Sequence, residues 1–120
     1  MAKTYRELKV WQSARQLVML VYQITSSFPT LERFGLVSQM RRCVVSIPSN
    51  IAEGFGRHSD GDFSRFLAIA MGSLCELETQ TVLCMDLSYI TESESNLISE
   101  KCSVVKRLLI ALKNSLKKTQ

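Results

Sequence analysis

Ser38-Gln-Met-Arg-Arg-Cys-Val-Val-Ser-Ile-Pro-Ser-Asn-Ile-Ala-Glu-Gly-Phe-Gly-Arg57 is the stretch on which the fold turns. Together with Leu36, its apolar residues Met40, Cys43, Ile47, Ile51 and Phe55 recur at steps of three and four, which lines one face of a helix. Pro48 lies inside that pattern, where it deletes one backbone hydrogen bond and crowds the preceding turn, so one kinked helix is predicted and not two. Asn50 stands where it can satisfy carbonyls freed by the kink. Val37, Val44 and Val45 add apolar area beyond the stripe, which points to burial against another subunit. Arg42, Ser46, Ser49, Glu53 and Arg57 form a polar stripe, which reads either as a binding face or as a solvated one. Its Glu53–Arg57 pair has the favourable acid-before-base order, worth a few tenths of a kcal/mol when exposed. Arg41 projects elsewhere, toward Val45 and Pro48, and is expected either to pair with Glu76 or Glu78 or to contact phosphate.

The same period extends outward in both directions. Upstream, about Val10 to Ser26 carries Trp11, Ala14, Leu17, Val18, Val21 and Ile24 on one stripe, and Phe28-Pro29 ends it because a residue before proline avoids helical dihedrals. The second helix begins near Glu32 to Leu36. A third opens at Ser59, a hydroxyl cap with Asp62 in the first turn, and runs to about Leu87. Its core positions are Phe63, Phe66, Leu67, Ala70, Leu74, Leu77, Thr81 and Cys84, with Gly72 a candidate for close approach by a neighbour. Thr91-Glu-Ser-Glu94 is a capping box that starts the fourth, continued by Leu97, Val105, Leu108, Leu112 and Leu116. Lys113, Lys117 and Lys118 suit the negative end of its dipole. The expected fold is therefore all-α, a single domain over residues 1–120: an up-and-down antiparallel four-helix bundle with a proline-kinked second helix.

Composition narrows the function. At 46% hydrophobic and 22% charged residues, a disordered chain is excluded. A mean hydropathy of +0.06 leans toward subunit association, and a formal charge of +4 favours acidic partners such as nucleic acid. Cys43, Cys75, Cys84 and Cys102 lack a Cys-x-x-Cys pair, and His58 is the sole histidine, so no metal site is expected. The thiols read as reduced core residues of a cytoplasmic protein. Charges occupy the start of the chain where a signal peptide needs its apolar run, and the longest apolar stretch, Leu17 to Tyr22, is too short for a membrane span. Glu76 and Glu78 point about 200° apart around a helix and cannot flank one bond. Ser46 and Ser49 have no histidine near them, and no glycine-rich phosphate loop is present. No catalytic residue and no cofactor is expected.

The quoted stretch, followed by Phe63-Ser-Arg-Phe-Leu-Ala-Ile-Ala-Met-Gly-Ser-Leu-Cys-Glu-Leu-Glu-Thr-Gln80, resembles the four helix bundle protein family, also called intervening-sequence proteins, encoded within insertions in bacterial 23S rRNA genes. The resemblance runs from Leu8-Lys-Val-Trp11 to Tyr89-Ile90 and beyond. It implies a ring-shaped homopentamer related to accessory proteins of diversity-generating retroelements, which associate with a reverse transcriptase and nucleic acid. It brings no catalytic residues. Cys43-Val44 replaces the family's usual Ala-Ala, and Ser88 replaces a glycine that closes the third helix with positive φ.

The functional expectation is a non-enzymatic, homo-oligomeric scaffold that associates with RNA or DNA, or with a protein that processes them, through Arg41, Arg42, Arg57, Arg65, Lys113, Lys117 and Lys118. Arg57, His58 and Arg65 surround the loop between the second and third helices, where helix amides add positive potential, and form a candidate anion patch. The alternative is a structural protein-interaction adaptor whose second-helix surface, Val37, Val44 and Val45, carries the contacts.

Overall fold

Each helix starts where the chain supplies side chains or turns for its free N–H groups. The computed structural model describes residues 2–117, apart from the side chain of Lys117; Lys118 lies outside the described residues. A 3-10 turn, Tyr5–Glu7, is closed by a capping box in which Thr4 and Glu7 bond each other's backbone, and it leads into α1, Lys9–Thr25. A second 3-10 turn, Thr30–Glu32, leads into α2, Leu36–Gly56. Here Glu32 Oε1 accepts the Leu36 N–H at 3.1 Å. Ser59 caps α3, Asp60–Asp86, by accepting the Asp62 N–H at 3.1 Å. The expected Thr91–Glu94 box starts α4, Glu92–Lys117, with reciprocal bonds of 2.9 and 3.0 Å. The four helices run up and down in a body of 46 × 23 × 20 Å.

Leu17 and Val21 of α1, Met40, Val44, Ile47 and Ile51 of α2, Leu67, Leu74 and Leu77 of α3, and Ile98, Val105 and Leu109 of α4 are fully buried together. Burying each such side chain contributes about 1.5–3 kcal/mol. The helix α3 is long and apolar enough by composition to cross a bilayer, yet Leu67, Ala70, Leu74 and Leu77 are spent on the bundle core. Its packing partner α2 passes Pro48 as one unbroken helix. Next to the proline, Ser49 Oγ donates to the Val45 carbonyl at 2.8 Å and Asn50 Nδ2 to the Ser46 carbonyl at 2.7 Å, whereas the carbonyl that loses its N–H donor to Pro48 is that of Val44.

Three local expectations are corrected. Val44 is 0% and Val37 9% exposed: because α2 is sandwiched between α1 and α3, its buried arc is wider than one seam, and only Val45, at 39%, stays at the surface. Gly72 faces open space, whereas a Cβ on Gly54 would stand 2.7 Å from the Phe66 Cβ, so Gly54 is the glycine at which helices approach closely. Cys43, Cys84 and Cys102 are buried, but Cys75 is exposed. Ser88 does hold the glycine-like position, with φ of 61°, and Tyr89 N–H bonds the Cys84 carbonyl at 2.9 Å to close α3.

Candidate nucleic-acid interface

From Leu8 to Leu31 the chain has no carboxylate, and none falls between Leu36 and Ala52. Between Leu8 and Ala52 the α1–α2 face therefore carries Glu32 as its single carboxylate. At its centre a groove of 470 Å³ runs between the end of α1 and the start of α2, lined by Tyr22, Arg33, Phe34, Val37, Ser38, Arg41, Arg42 and Val45. Phe34 is 89% exposed, with the Arg33 guanidinium 5.6 Å from its ring centre. Arg42 is exposed, and its side chain makes no hydrogen bond or ion pair among the described residues.

Arg41 does not meet Glu76 or Glu78. Its Nε donates to Thr25 Oγ1 at 3.0 Å, its Nη2 to the Tyr22 carbonyl at 3.3 Å, and its guanidinium lies 4.5 Å from the Tyr22 ring centre. A cation on the last carbonyls of α1 is favourable to that helix dipole, so Arg41 is a clamp between α1 and α2 that also adds charge to the groove. Glu78 instead binds Lys106 of α4 at 3.0 Å, and Glu76 accepts from Gln80. The Gln80 Oε1 is buried without a partner.

The α2–α3 loop assembles the second cluster. Both Arg57 and Arg65 stack on Phe66, at 5.1 and 4.6 Å. Each also has its own acid: Glu53 at 2.8 Å from Arg57, and Asp62 at 3.8 Å from Arg65. With Asp60 and Asp62 in the first turn of α3, carboxylates already occupy the positive helix end that an anion would need. The guanidiniums of the expected patch converge on Phe66, but each is already paired with a carboxylate. His58 stands at φ of 58°, the turn residue between the helices. Lys113 lies in the last turns of α4, at the bundle end shared with this loop; the Lys117 side chain and Lys118 fall outside the description.

An adjoining cleft, between α2 and α3, shares Phe34, Ser38 and Arg42 with the groove and adds Cys43, Ser46, Ser73 and Glu76. Ser46 Oγ lies 2.6 Å from both the Cys43 carbonyl and the Ser73 hydroxyl, and the Cys43 thiol donates to the Ser73 carbonyl at 2.9 Å. Burial pushes the Cys43 and Cys102 thiols up to about 12 and Cys84 to about 11, which keeps them protonated and poor nucleophiles. Among the described residues no group of three or more His, Cys, Asp or Glu could hold a metal.

Sequence reading missed Arg33, Phe34 and Tyr22. The usable signal was the carboxylate-free run across α1 and α2, which separates this face from the acidic α3, and not the count of basic residues.

Comparison with known proteins agrees with this architecture. The sequence pattern of the family described as 23S rRNA-intervening sequence protein matches residues 6–111. A crystal structure from Bacteroides thetaiotaomicron, described as a protein with unknown function from the S23 ribosomal protein family, superposes with a TM-score of 0.78 at 25% identity, covering 86% of this chain and 96% of that one. No protein of curated function matches the chain.

Proposed function

The chain belongs to the 23S rRNA-intervening sequence protein family, and from that premise we propose that it is a non-enzymatic, homo-oligomeric helical scaffold of the cytoplasm that binds nucleic acid through its α1–α2 face. The observation that carries the reading is the groove of Arg33, Arg41 and Arg42, lined by no carboxylate, on a basic chain of net charge +4. Uncompensated guanidiniums attract phosphates and release their counterions. Self-association rests on other surfaces: Val82, Leu83, Met85 and Leu87 at the end of α3, and Leu97 and Ile110 on α4, are exposed. A closed ring uses two different patches per copy, and exposed apolar residues on both α3 and α4 are available to form them. The number five rests on the family resemblance alone. In a ring each copy repeats the groove, so simultaneous contacts raise the apparent affinity.

Light scattering of the protein with and without a short RNA reads both halves of the proposal. A multimer that gains mass with RNA supports it, and a monomer removes the scaffold. Filter binding that retains neither RNA nor DNA at low salt removes the nucleic-acid function. The exposed apolar end of α3 also favours a second reading, an adaptor for protein partners, which a pulldown surviving nuclease treatment would support.

A further inference from the structure

Phe34 is the most exposed of the large apolar side chains, and the chain holds it in place rather than leaving it on a loose tip. It belongs to the link Arg33-Phe34-Gly35 between the 3-10 turn and α2. Glu32 fixes that link from the far side: one carboxylate oxygen accepts the Leu36 N–H at 3.1 Å, and the other accepts the Tyr89 hydroxyl at 2.8 Å. The Tyr89 bond, reinforced by the Leu36 N–H, holds the Glu32 carboxyl below the ordinary carboxylate range. Glu32 is thus engaged with Leu36 and Tyr89 and does not line the groove, while Glu76, in the adjoining α2–α3 cleft that shares Phe34 and Arg42, makes no ion pair with Arg42. Gly35 permits the arrangement, since a Cβ there would stand 2.6 Å from Glu32 Oε1.

The Tyr22 ring has Arg41 at 4.5 Å and is 40% exposed, whereas Phe34, with Arg33 farther off at 5.6 Å, is 89% exposed and is the more open platform of the groove. A flat apolar ring flanked by Arg33 and Arg42 suits an unpaired nucleobase between two phosphates. In a duplex the base faces are stacked on one another, and such a ring has nothing to stack on. We propose, resting on the nucleic-acid reading above, that this groove selects single-stranded over duplex nucleic acid by stacking a base on Phe34 while Arg33 and Arg42 hold its flanking phosphates. The backbone that carries the ring is held by Glu32, Gly35 and Tyr89, which reduces the ordering cost of that contact.

Fluorescence anisotropy with the full chain tests it on three probes: a short labelled single-stranded RNA, the blunt duplex of the same sequence, and an abasic strand of equal length. The single strand should bind about tenfold or more tighter than the abasic strand, the scale of one base–aromatic stack, and tighter than the duplex. Phe34→Ala should remove that advantage, bringing the single strand to the affinity of the abasic strand, and Phe34→Tyr should restore it. A ring so exposed contributes little to folding, and circular dichroism of the variants checks this. Equal binding of all three probes, unaltered by Phe34→Ala, overturns the selectivity while the electrostatic function stands. Absence of binding to any probe at low salt overturns both.

Discussion

Two clusters of arginines on one short chain meet opposite electrostatic fates. At the α1–α2 groove, Arg33 and Arg42 lie beside aromatic and apolar groups with no acid lining the site. At the α2–α3 loop, Arg57 and Arg65 share the Phe66 ring, but each faces a carboxylate one turn away on its own helix or cap. Residue type is the same, and so is the aromatic support. What differs is whether an ion pair is made, so the density of arginines is a poor guide to where unpaired positive charge lies.

Charge reversal separates the clusters most sharply. Arg33→Glu with Arg42→Glu should weaken RNA binding by about tenfold or more at low salt and reduce the steepness of its logarithmic salt dependence by about two, as expected for two lost phosphate contacts. Arg57→Glu with Arg65→Glu should change affinity far less. Equal losses from the two pairs, measured by filter binding, would erase the distinction.

Next in size is Gly54→Ala, which disturbs only the loop cluster. The new methyl would stand 2.7 Å from the Phe66 Cβ and 3.0 Å from the Phe63 ring. Overpacking costs about 1–3 kcal/mol, against a gain of about 1 kcal/mol in helix propensity, so net destabilisation is expected. Thermal denaturation should show a Tm lower by several degrees, with RNA affinity below the transition unchanged. A higher Tm would show that Phe66 moves freely, and that its two arginines are not held in place.

His58→Gly comes third. Its positive φ suits glycine better than histidine, so stability should rise by about 0.5 kcal/mol in a denaturant titration. Binding should be unaffected; a clear loss of affinity would return His58 to the list of ligands. The smallest effect tests the comparison from the other side. Glu53→Gln with Asp62→Asn frees the loop guanidiniums, and exposed pairs of this kind are worth less than about 1 kcal/mol each. RNA affinity should rise by about two- to threefold, and no rise would mean that local acids are not what silences the loop.

The caps show how far sequence reasoning reached. Ser59, Thr91 and Glu94 sit where their spacing put them, because a capping hydroxyl and its partner lie within three residues. The Glu53–Arg57 pair was legible for the same reason. Arg41 was misassigned because its partners, Thr25 and the Tyr22 carbonyl, are 16 and 19 positions away, and the choice between them and Glu78 depends on how α1 and α4 pack. Val44 was read as surplus for a related reason: a count of apolar residues on one helix does not reveal that two neighbours cover it.

The sequence by itself determined the four helices, their ends and their order, since periodicity, caps and prolines act over a few residues. Packing settled which distant residues gather into the groove and which ring faces water. Those outcomes depend on contacts such as Tyr89 with Glu32, 57 positions apart, which arise only when the bundle closes and distant side chains compete for the same partners.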